Sequence, residues 1–122
     1  MNLNFNSEMP IYLQIAQSIE DDIIKGIFAE NNQIPSTTEV SVKCKINPAT
    51  VAKGFNLLVE DTIIYKKRGV GMFVSEGAKH KLIEKRKQNF FESYIANLIE
   101  EARKLNISIE EIIEMLERGK AK

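Results

Sequence analysis

Three short stretches in the first 75 residues combine cations, hydroxyl groups and an amide at a spacing that suits a DNA duplex. Positive side chains neutralise phosphates, while short polar side chains hydrogen-bond the edges of bases. The residues selected on this basis are Ser36, Thr37, Asn47, Pro48, Ala49, Thr50, Lys53, Lys66, Lys67, Arg68 and Gly69.

Each stretch predicts a different contact. If a helix starts at Asn47, its first turn lies nearest the bases, and Thr50 can reach a base edge or a thymine methyl. The hydroxyl groups at 36–37 suit a phosphate, because backbone N–H groups point outward at a helix N-terminus. The basic run at 66–68 would reach a flanking phosphate or the minor groove, and Gly69 would let the backbone approach closely.

The sequence offers no arrangement suited to catalysis or metal binding. His80 is the only histidine and Cys44 the only cysteine, so a His-based triad, ordinary zinc spacing and an internal disulfide are excluded. Paired carboxylates and a phosphate-cradling loop are also missing. We therefore expect no enzymatic activity, no cofactor and no metal.

A supporting helix is predicted at 10–26. Pro10 suits a first helical turn, and isoleucines at every fourth position from 11 to 23 form an apolar stripe. Gly26 is a suitable stop. The stripe indicates a helix that packs on the core.

Two further helix starts lie close together. Ser36 and Glu39 have the spacing of a capping box, which predicts a short helix over 37–43. The Asn-Pro pair at 47–48 forms a cap and a first helical position for a helix that reaches about residue 61. Helices joined by so short a link must cross steeply, which is helix-turn-helix geometry.

Residues 62–74 predict a β-hairpin. Strand-forming residues flank Gly69-Val70-Gly71, and the basic residues lie at or near the tip. Three helices followed by a basic hairpin make a winged helix.

The rest of the chain predicts a helical tail, with one long helix over 79–105 and another after a capping box at Ser108 and Glu111. The helix after Ser108 is too short for its own hydrogen bonds and buried side chains to offset the backbone entropy lost on folding, so it needs a partner surface. The apolar face of 91–105 is one such surface. The last helix would leave part of this wide face uncovered, and a second copy of the chain would cover that part, which predicts a two-fold dimer. The dimerisation residues are Phe91, Tyr94, Ile95, Leu98, Ile99, Ala102, Leu105, Ile109, Ile112, Ile113 and Leu116.

Composition restricts the alternatives. The chain has 122 residues, 43% of them hydrophobic, and 17 basic residues balance 17 acidic ones, so a uniformly basic nucleic-acid binder is excluded. Residues 1–61 hold 4 basic and 8 acidic groups, so DNA affinity must depend on how these charges are oriented. We expect one small domain with an appendage, no leader peptide, no membrane contact, no separate large ligand-binding domain and a cytoplasmic location.

Four segments resemble the GntR family of bacterial transcription regulators in order and spacing. They are PIYLQI at 10–15, IPST at 34–37, INPATVAKGF at 46–55 and RGVGMFV at 68–74. The short two-helix tail further resembles the YtrA-type branch. The resemblance implies a homodimeric regulator, usually a repressor, often encoded beside membrane-transporter genes. It also implies an effector, and a small molecule bound at the tail interface is one possibility.

Three positions depart from the family pattern. Family members usually carry an arginine that contacts operator DNA where this chain has Thr38, and several branches carry another at Ala52. The resemblance thus adds Thr38 to the DNA-contact residues, with one hydroxyl in place of a guanidinium. Thr62 replaces the glycine that usually separates the recognition helix from the hairpin. The first two changes remove positive charge from the expected DNA face.

Other interpretations of these residues stay open. Asn47 and Thr50 can be capping residues, lysines at a hairpin tip can be solvated charges, and the aromatic residues 90, 91 and 94 can form a ligand cage. A winged-helix module that binds proteins and has lost DNA binding is the alternative function.

We predict an α+β, mostly α fold, with a winged helix-turn-helix DNA-binding domain over 1–75 and a helical dimerisation tail over 76–122. The predicted function is sequence-specific regulation of transcription by a homodimer bound to double-stranded DNA at a pseudo-palindromic operator.

Overall fold

Helices dominate the structure, and one hairpin interrupts them. The computed structural model describes residues 1–121. Its elements in chain order are α1 (Ile11–Ile24), α2 (Thr37–Cys44), α3 (Pro48–Glu60), β1 (Ile64–Lys67), β2 (Gly71–Val74), α4 (Ala78–Phe90), a π-helical turn (Phe91–Ile95), α5 (Ala96–Lys104) and α6 (Ile109–Lys120). The predicted fold class is confirmed.

The chain divides into two compact units within α4. We call Met1–Glu84 the head, and the residues from Lys85 onward the tail. Ala78 and Leu82, in the first turns of α4, are buried in the core of the head. The head therefore extends past the hairpin and includes the start of α4.

The core of the head is built from the apolar stripes of α1 and α3. Both stripes belong to one buried cluster, to which α1 contributes Ile15, Ile19 and Ile23, and α3 contributes Val51, Phe55 and Leu58. Each such side chain contributes roughly 1.5–3 kcal/mol when it is fully buried. The isoleucine stripe predicted from the sequence is thus the core-facing side of α1.

A glycine lets α1 and α3 approach each other. Gly54 is buried in α3, and a Cβ atom there would lie 2.7 Å from the backbone carbonyl oxygen of Tyr12 and 3.3 Å from the Ile15 side chain. No real side chain fits at that distance, so residue 54 must be glycine for the two helices to pack this closely.

The link between α2 and α3 is closed by a buried hydroxyl group. Ser41 Oγ donates to the carbonyl of Ile46 at 2.6 Å, and the Ile46 N–H donates back to the carbonyl of Ser41 at 3.1 Å. Lys45, between them, has a left-handed φ of 56°. This reciprocal pair fixes the turn of the helix-turn-helix.

The hairpin, which we call the wing, has two strands, and the segment before α2 joins it through an isolated β-bridge between Gln33 and Phe73 that the sequence did not indicate. β1 and β2 are antiparallel, with Ile64 opposite Val74 and Lys67 opposite Gly71. On the other edge of β2, the Ile34 N–H donates to the Met72 carbonyl at 2.9 Å, and the Val74 N–H donates to the Asn32 carbonyl at 3.0 Å. The segment before α2 is therefore attached to the wing.

The junction between α3 and β1 has a left-handed residue at the position where the family usually has glycine. Thr62 has φ 58°. Lys81, from α4, donates from Nζ to Thr62 Oγ1 at 2.6 Å and also to the carbonyl of Asp61. The junction is thus supported by a side chain from another element.

The start of α4 is capped from a distant part of the chain. The Glu30 carboxylate accepts from the N–H of Gly77 at 2.7 Å and from the N–H of Lys79 at 3.4 Å. A carboxylate at a helix N-terminus satisfies backbone donors and interacts favourably with the helix dipole.

The tail keeps little of its apolar surface away from water. The expected helix over 79–105 is present but contains the π-helical turn, and the capping box of Ser108 and Glu111 before α6 is confirmed. Most of the predicted dimerisation residues are exposed or half-buried, and Leu105 and Leu116 are 60% and 61% exposed. Ala102 is different, since it is only 7% exposed and packs within its own chain.

Candidate nucleic-acid interface

The start of α3 presents small polar and apolar groups to solvent. Asn47, Pro48 and Ala49 are exposed and Thr50 is half-buried. Asn47 Oδ1 accepts from the N–H of Ala49 at 2.8 Å, so the cap predicted from the sequence is confirmed. The amide oxygen of Asn47 is thus occupied by the helix, and its amide nitrogen is the group suited to a base edge.

The outer face of α3 continues beyond this first turn. Ala49, Lys53 and Asn56 are exposed and separated by four and three residues, the spacing of one helix face. Asn56 was missed in the sequence analysis, although its spacing from Lys53 could have revealed it. Its amide can both donate and accept, which is the pattern needed to read an adenine edge.

Lys53 lies against α1. Its Nζ is 4.0 Å from the centroid of the Tyr12 ring, a cation–π distance. Tyr12 is half-buried whereas Lys53 is exposed. The lysine is therefore held by a packed aromatic ring and still faces solvent.

The start of α2 is partly occupied by its own capping box. Ser36 Oγ accepts from the Glu39 N–H at 3.0 Å, and Glu39 Oε1 accepts from the Ser36 N–H at 3.2 Å. Thr37 is half-buried, and Thr38 is exposed. Because the Glu39 carboxylate lies where a phosphate was predicted, the exposed Thr38 hydroxyl is the better placed contact at this end of α2.

The two lysines of the wing lie on opposite faces of the hairpin. Side chains alternate along a strand, so Lys67 shares a face with Tyr65, while Lys66 shares one with the buried Ile64. Lys67 Nζ lies 4.7 Å from the ring centroid of Phe73. Lys66 and Lys67 therefore face opposite sides of the hairpin, and the contact of each with DNA stays a prediction.

The tip of the wing is held by a side chain that precedes α2. Gln33 Nε2 donates to the carbonyl of Val70 at 3.0 Å, next to Gly71. Arg68 and Gly69 are exposed at the tip, and Gly69 has φ 78°, which favours glycine. Gln33 is a further positioning residue that local sequence patterns did not indicate.

Comparison with known proteins accounts for this arrangement. The family model described as "Bacterial regulatory proteins, gntR family" matches residues 11–74, which run from α1 to the end of the wing. The chain belongs to the GntR family.

Relatives along the whole chain agree with the GntR assignment. The chain is 33% identical to the transcriptional repressor YtrA of Bacillus subtilis (strain 168) over 90% of this chain and 84% of that protein. A GntR-family regulator from Bacteroides thetaiotaomicron has a similar crystal structure, with a TM-score of 0.78 and 38% identity over 88% of this chain and 95% of that one. The AraR DNA-binding domain, solved in complex with operator ORX1, is 26% identical with a TM-score of 0.55, over 62% of this chain and 93% of that one.

These findings identify the protein as a DNA-binding transcriptional regulator of the YtrA type in the GntR family, and its relatives are regulators of transcription. Within the part of the chain that the structure describes, no helix is both long and apolar enough to span a membrane.

Proposed function

We propose that the protein is a homodimeric repressor that binds a pseudo-palindromic operator, with the start of α3 in the major groove and the wing on the flanking backbone. The observation that carries the proposal is the exposure of Asn47, Pro48 and Ala49 on a helix whose other side is buried in the core. The operator complex of the related AraR domain supports this use of the head. Repression is proposed from the YtrA relative, which is described as a repressor.

The tail supports a second copy of this chain as the partner. Leu105, Ile109 and Leu116 are 60%, 59% and 61% exposed in the single chain. Burial of such a side chain contributes roughly 1.5–3 kcal/mol, so a contact between two tails would recover a free energy that one tail leaves unused. A two-fold contact would also supply the two α3 helices that a pseudo-palindrome requires.

A protein-interaction module is the second candidate function. It is favoured by the charge of residues 1–61, where 8 acidic groups outnumber 4 basic ones. Acidic groups on the DNA face would repel phosphates, so DNA binding requires that they lie away from it.

A mobility-shift assay distinguishes the two functions. The probe is the duplex that the protein selects from a random-sequence library, and binding is measured at two salt concentrations. We expect a selected duplex with two related half-sites about 34 Å apart, or a multiple of that distance, and an affinity that falls steeply with salt. A folded dimer that selects no duplex would contradict the operator proposal and favour the interaction module.

An effector and a cellular location complete the proposal. The rings of Phe90 and Tyr94 lie 5.5 Å apart, centroid to centroid, and both side chains are exposed. They would suit an apolar small molecule at the tail interface, and this effector site stays a prediction. We place the protein in the cytoplasm, where a bacterial chromosome lies.

A further inference from the structure

We propose that Tyr12 is a positioning residue for DNA binding, whose ring holds the Lys53 ammonium group in place for a backbone phosphate. The inference rests on the proposed function, because Lys53 lies on α3, the helix that the proposed function places in the major groove. It assigns a role in recognition to α1, a helix whose stripe of isoleucines otherwise indicates only a core helix.

The contact has the geometry of a cation held by a ring. Lys53 Nζ lies 4.0 Å from the ring centroid of Tyr12, within the range of about 6 Å in which such attraction acts. A lysine ammonium group has three N–H donors, and a ring on one side leaves the others available for a phosphate oxygen. Lys53 is exposed, so a phosphate can reach it.

The backbone that carries the ring is held in place by the packing of the two helices. Lys53 is followed by Gly54, where an added Cβ atom would lie 2.7 Å from the backbone carbonyl of Tyr12. The backbones of α1 and α3 therefore meet at the residues that carry the ring and the cation. Tyr12 is half-buried at this contact, so its ring starts from a fixed backbone position beside Lys53.

Positioning of this kind raises affinity by reducing the entropy lost on binding. A free lysine side chain samples many rotamers and loses them when it binds a phosphate, whereas a lysine already held over a ring has lost part of that freedom in the unbound protein. Exposed contacts of this type typically change an equilibrium about 2.3- to 5-fold, so two half-sites give about 5- to 25-fold in a dimer.

The test compares the full-length protein with Tyr12→Leu, Tyr12→Phe, Lys53→Ala and the Tyr12→Leu/Lys53→Ala double variant. The probe is the duplex that the wild type selects from a random-sequence library, and the dissociation constant is measured at several salt concentrations. We expect Tyr12→Leu to bind about 5- to 25-fold more weakly than the wild type, while Tyr12→Phe, which keeps the ring, binds within about 2-fold. In the Lys53→Ala background, Tyr12→Leu should have no further effect.

The salt dependence separates a lost charge from a misplaced one. Lys53→Ala should flatten the slope of log K against log salt by about 2, because a dimer loses two phosphate contacts at about 0.9 each. Tyr12→Leu keeps both charges and should retain most of the slope. If Tyr12→Leu weakens binding equally with and without Lys53, Tyr12 acts only on the fold and the inference is wrong.

A second measurement does not depend on how well Tyr12→Leu folds. In the wild type, the ring current of Tyr12 should shift the NMR signals of the Lys53 ε-methylene protons upfield, both in the free protein and in the DNA complex. Loss of this shift on binding DNA would mean that the ring releases the lysine, which overturns the inference. If Lys53→Ala binds as tightly as the wild type, Lys53 does not contact DNA and the inference is wrong, although selection of a duplex by the wild type would still support the proposed function. If Lys53→Ala binds more weakly but Tyr12→Leu does not, only the positioning role of Tyr12 is contradicted.

Discussion

Lys81 Nζ donates to the hydroxyl oxygen of Thr62 at 2.6 Å, and this hydrogen bond joins α4 to the junction between α3 and the wing. Thr62 has φ 58°, a conformation that a β-branched residue adopts at a cost of roughly 1–2 kcal/mol. The same ammonium group also donates to the carbonyl of Asp61. The junction that a glycine usually forms is therefore formed here by a strained threonine with support from another helix.

Replacing Thr62 should separate strain from support. Thr62→Val keeps the branched side chain and removes the acceptor for Lys81, so we expect it to lower the free energy of unfolding by about 1–2 kcal/mol. Thr62→Gly also loses the acceptor but removes the strain, and should therefore be about 1–2 kcal/mol more stable than Thr62→Val. Urea denaturation followed by circular dichroism measures both values. Equal stability of the two variants would mean that the positive φ is not a source of strain.

Gly54→Ala should destabilise the head although alanine is the better helix former. The helix preference of alanine over glycine is worth up to about 1 kcal/mol, whereas overpacking against the Tyr12 carbonyl should cost about 1–3 kcal/mol or more because backbone atoms must move. Gly119→Ala is the matched control, since nothing lies within 4 Å of a Cβ atom there. Thermal unfolding should show a lower Tm for Gly54→Ala and an unchanged or higher Tm for the control.

Ser41→Ala should loosen the turn of the helix-turn-helix. It removes the hydroxyl that donates to the Ile46 carbonyl at 2.6 Å, in a place where Ser41 and Ile46 are both buried. A buried acceptor left unsatisfied costs about 1–3 kcal/mol. Chemical denaturation measures this loss, and Ser36→Ala, which removes only a helix cap, should cost about 1 kcal/mol. A Ser41→Ala protein as stable as the wild type would show that the turn does not need this bond.

Lys66→Ala should flatten the salt dependence of DNA binding. If the wings of a dimer each contact one phosphate through Lys66, the slope of log K against log salt changes by about 2. Titrations of the selected duplex by fluorescence anisotropy at four salt concentrations give the slope. Lys120→Ala, at an exposed lysine of α6, should leave the slope unaltered. The same slope for Lys66→Ala and the wild type would remove Lys66 from the interface.

Leu116→Glu should convert a dimer into a monomer. A charged group cannot enter an apolar contact without losing its hydration, so the second copy would be released. Sedimentation equilibrium should give the mass of one chain for this variant and of two chains for the wild type. Glu117→Gln, at the neighbouring exposed residue, should stay dimeric. A monomeric wild type at micromolar concentration would reject the dimer.

Most of the head could be predicted from the sequence because its signals are local. The capping box of Ser36 and Glu39, the cap at Asn47 and the isoleucine stripe of α1 each depend on residues a few positions apart. Caps and helix stripes follow from short-range geometry, so they are recognisable without knowledge of the fold.

The remaining features depend on residues distant in sequence. Backbone hydrogen bonds join residues 31–34 to residues 72–74 of the wing, and Lys53 meets the ring of Tyr12 only because α1 and α3 pack together. Neither contact has a short sequence signature. The sequence also shows that Lys66 and Lys67 are adjacent, but not that a strand turns them to opposite faces.

The Glu30 carboxylate accepts from the N–H groups of Gly77 and Lys79, so α4 depends on a residue 47 positions earlier for its first turn. A peptide that starts at the hairpin end would lack this acceptor and should fray where α4 begins. The loop before α2 therefore stabilises the residue at which the long helix starts. Fusing residues 77–121 to an unrelated protein would therefore separate the first turn of α4 from the carboxylate that caps it.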